Sequence, residues 1–185
     1  MRSVGSTPTS PTKIKRGFFL IVSNKVVDTT GGNNMRDNAK KRGEKGVQIT
    51  IGEFAKWDVQ VAFPLSDNLP FDLILIYNNK LYKAQVKSGK RRKESRGRSY
   101  SEGTSYFKLS SNNWYSKTVT RYYAKDIDVM VLCDYERVFL LSPKEFDGRT
   151  VFVIREQPSK NNQKIGCNMA EDYLLCKERL EKVLC

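Results

Sequence analysis

The sequence predicts an α/β domain, with α+β as the neighbouring class: a helix, a meander of short strands, then a closing helix. Three observations predict it. Apolar residues recur at helical spacing within 36–57, short β-rich runs fill 58–154, and helical spacing returns over 169–184. In the first helix Val47, Ile51, Phe54 and Ala55 form one stripe at i, i+4, i+7 and i+8. Gly43, Gly46 and Gly52 weaken it. Asp58 to Leu65 alternates as a strand that Pro64 closes. Leu73–Tyr77 and Leu81–Ser88 are two strands around Asn78-Asn79, a pair that tolerates the positive φ of a tight turn. Tyr106–Leu109, Ile127–Cys133, Arg137–Leu141 and Val151–Ile154 read as further strands. The final helix takes Asn168 as N-cap with Glu171 three positions on, and buries Tyr173, Cys176, Leu180, Val183 and Leu184.

The chain has 185 residues, room for one domain with a real core plus an appendage. The core domain is expected at 35–185. Residues 1–16, rich in Ser, Thr and Pro, read as disordered. Residues 17–27 fit one short strand, and Thr29 to Asn34 has loop chemistry. Residues 1–34 are therefore expected to be a non-core extension, with Met35 a candidate biological start. An intact residue 1 in the mass of the native protein would exclude that start.

Composition removes whole classes of chemistry. There is no histidine, so there is no Ser-His-Asp triad, no histidine-activated cysteine and no imidazole zinc ligand. Acid–base or metal chemistry must rest on Asp, Glu, Lys, Tyr, Cys or amides. Cys133, Cys167, Cys176 and Cys185 form no C-x-x-C pair and read as free thiols of a reducing cytosol. No apolar run approaches the ~20 residues of a membrane span, so a cytoplasmic protein without a membrane partner is expected. The net charge is +13, which calls for a polyanionic partner, nucleic acid first.

One stretch concentrates the chemistry. If Asn78-Asn79 is a two-residue loop, Tyr77 pairs with Lys80, and Asp72 faces Gln85 with Cβ atoms ~5 Å apart. Lys87, two residues on, shares that face. A carboxylate, an amide oxygen and an ammonium thus converge. A one-residue register slip would break the arrangement. On the first helix, Glu44 projects about 20° from Ile51 and Ala55, on the apolar stripe. A carboxylate there wants a cation or a donor. Mg²⁺ held by Asp72 and Gln85 supplies one, and Lys87 is then placed to orient or deprotonate a water for in-line attack on a phosphodiester. Residue by residue a plainer account also stands. Asp72 reads as a loop cap, Gln85 and Lys87 as a solvated strand face, and Glu44 as half of an ion pair.

Pro70-Phe71-Asp72, Gln85-Val86-Lys87 and the helical Glu44 together resemble the PD-(D/E)XK nuclease superfamily. Gly43-Glu44-x-Gly46-Val47, Pro64 to Leu73, Tyr122-Tyr123 before Ile127-Asp128-Val129, Arg155, Lys160-Asn161-Asn162-Gln163 and Ala170-Glu171-Asp172-Tyr173 are similar to its bacterial group I intron-associated endonucleases. The resemblance spans about residues 36–175, and the ordered set is more specific than the core motif alone. It implies a restriction-endonuclease-like mixed sheet flanked by helices, Mg²⁺-dependent cleavage of double-stranded DNA, and a homo-oligomer, dimer or tetramer. By position, Asp72 is then the principal metal ligand, Lys87 the catalytic lysine, and Glu44 the helix carboxylate serving the metal or its waters. Gln85 stands where the superfamily has Asp or Glu, as in the intron-associated branch. An amide oxygen still ligates Mg²⁺ but removes one negative charge, which weakens metal affinity. Ser88, next to Lys87, reads as an ordinary end-of-strand hydroxyl.

Residues 80–98 hold nine Lys/Arg against one Glu. Lys90, Arg91, Arg92, Lys93, Arg96 and Arg98 follow the proposed catalytic strand directly, where phosphate contact would set affinity and register rather than sequence choice. Trp114, Tyr115, Tyr122 and Tyr123 fit base stacking or, more simply, packing under a loop. Two competing functions remain: a Holliday-junction resolvase or repair nuclease of the same superfamily, and a basic nucleic-acid-binding protein without activity.

Overall fold

The structure, a computed structural model, describes residues 35–66, 68–92, 103–113, 117–158 and 166–185. The expected extension 1–34 with its strand at 17–27, and Lys93, Arg96, Arg98, Trp114, Tyr115 and Lys160 to Gln163, lie outside the described residues. Helix α1 runs Met35–Ala55. Strands β1 (Gln60–Ala62), β2 (Leu73–Tyr77), β3 (Lys80–Ser88), β8 (Val129–Cys133) and β9 (Val138–Leu141) form one sheet in the order β1-β2-β3-β8-β9. A second sheet, in the order β11-β10-β5-β4, joins Asn168–Met169, Val151–Arg155, Thr104–Lys108 and Lys90–Arg91. Among the described residues, strands β6 (Ser111–Asn113) and β7 (Thr118–Thr120) pair only with each other. Helices α2 (Pro143–Phe146), α3 (Ala170–Tyr173) and α4 (Lys177–Leu184) complete the chain. The result is the expected mixed α/β architecture.

The first sheet is mixed because β3 and β8 run parallel while their outer neighbours are antiparallel. Asp128 pins that parallel register. Its carboxylate accepts from Lys83 N–H at 2.7 Å, and its own N–H donates to Lys83 O at 2.9 Å. Every residue of β8 is fully buried, as befits a central strand covered on both faces. One face, with Ala84, Val86, Val131 and Cys133, packs under α1 and α4 through Phe54, Leu180 and Leu184. The other, with Met130, Leu132, Phe139 and Leu141, meets Phe107, Phe152 and Ile154 of the second sheet.

Two expectations are corrected. The first concerns the buried face of α1. It centres on Gly46, Thr50 and Phe54, while Ala55 and Glu44 are exposed. Gly46 belongs to that face because a Cβ there would meet Ser88 Oγ at 1.9 Å. Glycine and threonine do not read as apolar, so the periodicity centred the stripe one residue too late. Glu44 therefore lies off the sheet-facing stripe and bears no burial cost. The second concerns the single helix over 169–184, which is α3 and α4 with a break between them. Leu174 bridges Phe139, and Leu175 N–H donates to Val138 O at 2.8 Å, so these leucines satisfy the edge of β9 instead of continuing a helix. Asn168 sits in β11 rather than at an N-cap, donating to Val153 O at 2.9 Å. Beyond the break, Arg179 is buried in α4, with its guanidinium on Leu140 O and the Glu145 carboxylate. No helix among the described residues is long and apolar enough to cross a membrane.

Candidate active site

The site grows from the turn between β2 and β3. Asn78 and Asn79 hold φ of 50° and 60°, the paired positive values of a two-residue hairpin turn. Tyr77 then pairs with Lys80, and the ladder runs to Leu73 opposite Ala84. Asp72, one residue beyond, donates its N–H to Ala84 O at 2.9 Å. Its carboxylate Oδ2 accepts from Gln85 Nε2 at 2.5 Å and from Val86 N–H at 2.9 Å. The predicted meeting of Asp72 and Gln85 is thus a direct hydrogen bond. Lys87 pairs with Leu132 as Gln85 pairs with Met130, so both side chains leave β3 on the face away from α1.

Donor chemistry at this point is all oxygen. Gln85 Nε2 is occupied by Asp72 and by Val86 O at 3.2 Å, which leaves Oε1 as the amide's available donor. Both hydrogen bonds to Asp72 fall on Oδ2, which leaves Oδ1. Neither oxygen is stranded in the interior, for the buried unpartnered oxygens among the described residues are those of Thr50 and Ser88. Burial pushes the Asp72 carboxyl above its ordinary value, against the Val86 N–H and the nearby Lys87 charge, which pull it down. A desolvated carboxylate beside a free amide oxygen fits a hard cation such as Mg²⁺, which takes few protein ligands and completes its shell with water or phosphate. Among the described residues no three Asp, Glu or Cys side chains are placed to hold a metal ion together.

Lys87 has a partner that spacing alone did not reveal. Its Nζ donates to Tyr122 Oη at 2.8 Å and lies 4.5 Å from the centre of the same ring. Tyr122 packs against the core between the sheets, and its carbonyl accepts from Gly148 N–H at 3.0 Å. Packing, the simpler of the two accounts of this tyrosine, is what the structure shows. The pair spans 35 positions in sequence, so the only signal was an aromatic pair just before Ile127-Asp128-Val129.

The remaining candidates divide. Glu44 has no hydrogen bond or ion pair to Asp72, Gln85 or Lys87 among the described residues. Its helix covers the opposite face of β3, although Gly46 against Ser88 brings that part of α1 to the carboxyl end of the strand. Ser88 Oγ is buried on the α1 side, away from the site. Lys90 is exposed on β4. Arg91 is already engaged. It forks onto Glu156 with two bonds of 2.7 Å and reaches Glu136 at 3.1 Å. Arg137 links the same Glu156 to Asp134, which also accepts from Ser105. Hydrogen bonding from Arg91 holds the Glu156 carboxyl below its ordinary range. This network ties β4 and β10 to the turn between β8 and β9.

A carboxylate, an amide and a lysine presented from one hairpin of a mixed α/β sheet define a restriction-endonuclease-like protein. The family model for PD-(D/E)XK endonucleases matches residues 37–176. The chain therefore belongs to the PD-(D/E)XK endonuclease family, a class of metal-dependent nucleases. Among solved structures it is similar to the bacterial homing endonuclease I-Ssp6803I, with 19% identity and a TM-score of 0.59 over 78% of this chain and 92% of that one. At that identity the likeness shows the fold. MepB superposes with a TM-score of 0.29 and 11% identity, covering 64% of this chain and 85% of that one. No curated protein matches the chain in sequence.

Proposed function

We propose that the protein is a Mg²⁺-dependent endonuclease that hydrolyses phosphodiester bonds of double-stranded DNA, encoded in a group I intron and acting in its homing. The observation that carries the chemistry is the bonded pair Asp72–Gln85 with Lys87 on the same strand face. Asp72 Oδ1 and Gln85 Oε1 would hold the ion, which supplies Lewis-acid polarisation of the phosphate when bound. Lys87, its ammonium steadied by Tyr122, orients the attacking water and balances charge that develops on the phosphate. Lys90 and Arg92 extend positive charge along the exit of that strand, where the DNA backbone would lie. The similarity to a homing endonuclease supports the intron role. The reading includes a homo-oligomer, because duplex cleavage by a subunit with one site takes two copies.

The test is cleavage of plasmid and linear duplex DNA by the full chain with Mg²⁺, and its loss in EDTA. Cleavage that persists in EDTA overturns the metal mechanism, and preference for four-way junctions over duplex favours the resolvase reading. Location of the open reading frame outside any intron removes the homing role.

Two variants grade the roles. By resemblance Glu44 serves the metal or its waters; it is exposed and bonds none of the hairpin groups, so any such action passes through water. Glu44→Gln is expected to weaken the Mg²⁺ requirement constant by about tenfold, the usual scale for a group one shell away from the ion. A loss of all cleavage at saturating Mg²⁺ would make it a direct ligand. Tyr122→Phe keeps the ring under the ammonium but removes the hydrogen bond. Its expected result is a drop in kcat of about tenfold with KM for DNA unchanged. In a Lys87→Arg background the same change is expected to cost little, because the phenol acts through the lysine. Equal losses in both backgrounds would show that Tyr122 acts elsewhere.

A further inference from the structure

The ribbon β6–β7 has no evident role in the fold. It belongs to neither large sheet, and the described side chains Ser111, Thr118, Val119, Thr120 and Arg121 are all exposed. A two-stranded ribbon with water on both faces gains little stability from itself. The stretch of chain that carries it has one charge sign as far as Asp126. Between Gly103 and Lys125 the sequence carries Lys108, Lys117, Arg121 and Lys125 and no acidic residue, and all four cations are exposed. The ribbon also leads straight into the site: Thr120 is two residues before Tyr122, whose phenol holds Lys87.

From these facts we infer that β6–β7 is the sequence-reading element of the protein, lying in the major groove of duplex DNA with Thr118 and Thr120, which share one face of the strand, against the base edges. The major groove admits a two-stranded ribbon. Hydroxyls serve either donors or acceptors on base edges, and threonine methyls suit the thymine methyl. A strand of three residues rises about 10 Å, which matches about three base-pair steps of 3.4 Å. Arg121 and Lys117 flank the strand and take phosphates, which fixes register without reading sequence. The inference rests on the duplex-DNA reading of the substrate and adds where selectivity resides.

The experiment selects bound duplexes from a randomised library with the full chain, in EDTA so that nothing is cut. It compares the unchanged protein with the double variant Thr118→Ala, Thr120→Ala and with Val119→Ala, whose side chain leaves the other face of the strand. Val119 and Thr120 are exposed, so an unchanged thermal midpoint is expected of Val119→Ala and of Thr120→Ala alone. The unchanged protein should give a consensus that loses about tenfold preference at two or three adjacent base pairs in the double variant, while the salt dependence of binding stays the same. Arg121→Ala should do the opposite, lowering the salt slope by about one unit and sparing the consensus. An identical consensus for the double variant overturns the inference, as does guanine N7 in the bound site remaining fully open to methylation. Cleavage of bulk plasmid with Mg²⁺ is scored separately. A protein that selects a consensus but never cuts overturns the nuclease mechanism and leaves the ribbon judged by its own variants. Failure to bind duplex at all overturns both.

Discussion

Asp72→Asn is expected to abolish Mg²⁺-dependent cleavage and, in the same protein, to raise the thermal midpoint measured without metal. The loss of activity should reach about 10²–10³-fold or more, the scale on which removal of one electrostatic contributor is felt. Lys87→Ala should match it. The gain in stability has a separate cause. Burial raises the Asp72 carboxyl above its ordinary value, so the folded chain binds that proton more tightly than the unfolded chain does. Stability from this group is fully present below the unfolded carboxylate range, about pH 4. It is lost as pH rises through the elevated folded value. At neutral pH the ionised carboxylate is therefore a cost until a cation arrives. Asparagine avoids the cost and keeps the local bonds, since both donors converge on one oxygen, Oδ2. The midpoint difference between variant and unchanged protein should thus widen from pH 4 to pH 7. Added Mg²⁺ should raise the midpoint of the unchanged protein and leave that of Asp72→Asn where it was. A variant that is less stable than the parent at pH 7 without metal would contradict the burial argument.

Gly89→Ala should be strongly destabilising for the addition of a single methyl group. Gly89 is where the backbone passes from β3 in the first sheet to β4 in the second, still donating its N–H to Cys133 O at 2.9 Å. A Cβ there would lie 2.4 and 2.5 Å from the Phe107 ring and 2.5 Å from the Tyr106 carbonyl oxygen. The ring is fully buried and the carbonyl is backbone, so neither yields cheaply. A cost of about 3 kcal/mol is expected, or about 10 °C in midpoint for a chain of this size. Phe107→Leu in the same chain should recover part of it, but not the clash with the carbonyl. Denaturant titration of the four proteins of that cycle gives the coupling. An unchanged midpoint for Gly89→Ala would mean that the two sheets separate more easily than their packing implies.

The parts of this molecule that were readable from sequence are those set by neighbours along the chain. Two asparagines in left-handed conformation fixed a two-residue turn, and the pairing of Asp72 with Gln85 follows from counting outward from it. The length of α1 was equally local. What escaped depends on distant partners. Leu174 and Leu175 look helical until the edge of β9 is offered to them. Arg91 looks like a phosphate contact until Glu156, 65 positions away, closes on it. The second sheet could not be told from the first, because pairing of β5 with β10 leaves no periodic mark. Tyr122 became legible only once β3 and the segment before β8 were side by side. Helix α2 is a case of another kind, legible locally without any periodicity. Ser142-Pro143-x-Glu145 is a local capping signal, and Glu145 does accept from Ser142 N–H at 2.6 Å.

Glutamine at position 85 has a consequence for when the enzyme is armed. On the proposed mechanism Asp72 would be the one charged ligand from the hairpin, and the protein alone would offer an ion a shallow well. On the proposed mechanism a DNA phosphate would deepen that well by adding its own oxygens and charge. Ion and DNA then become mutual effectors: whatever factor the DNA adds to Mg²⁺ affinity, Mg²⁺ must return to DNA affinity. Such a centre would stay unloaded while the protein diffuses at low free Mg²⁺. It would load where a backbone is already seated, so the same glutamine that weakens the resting site would make loading conditional on having found a target.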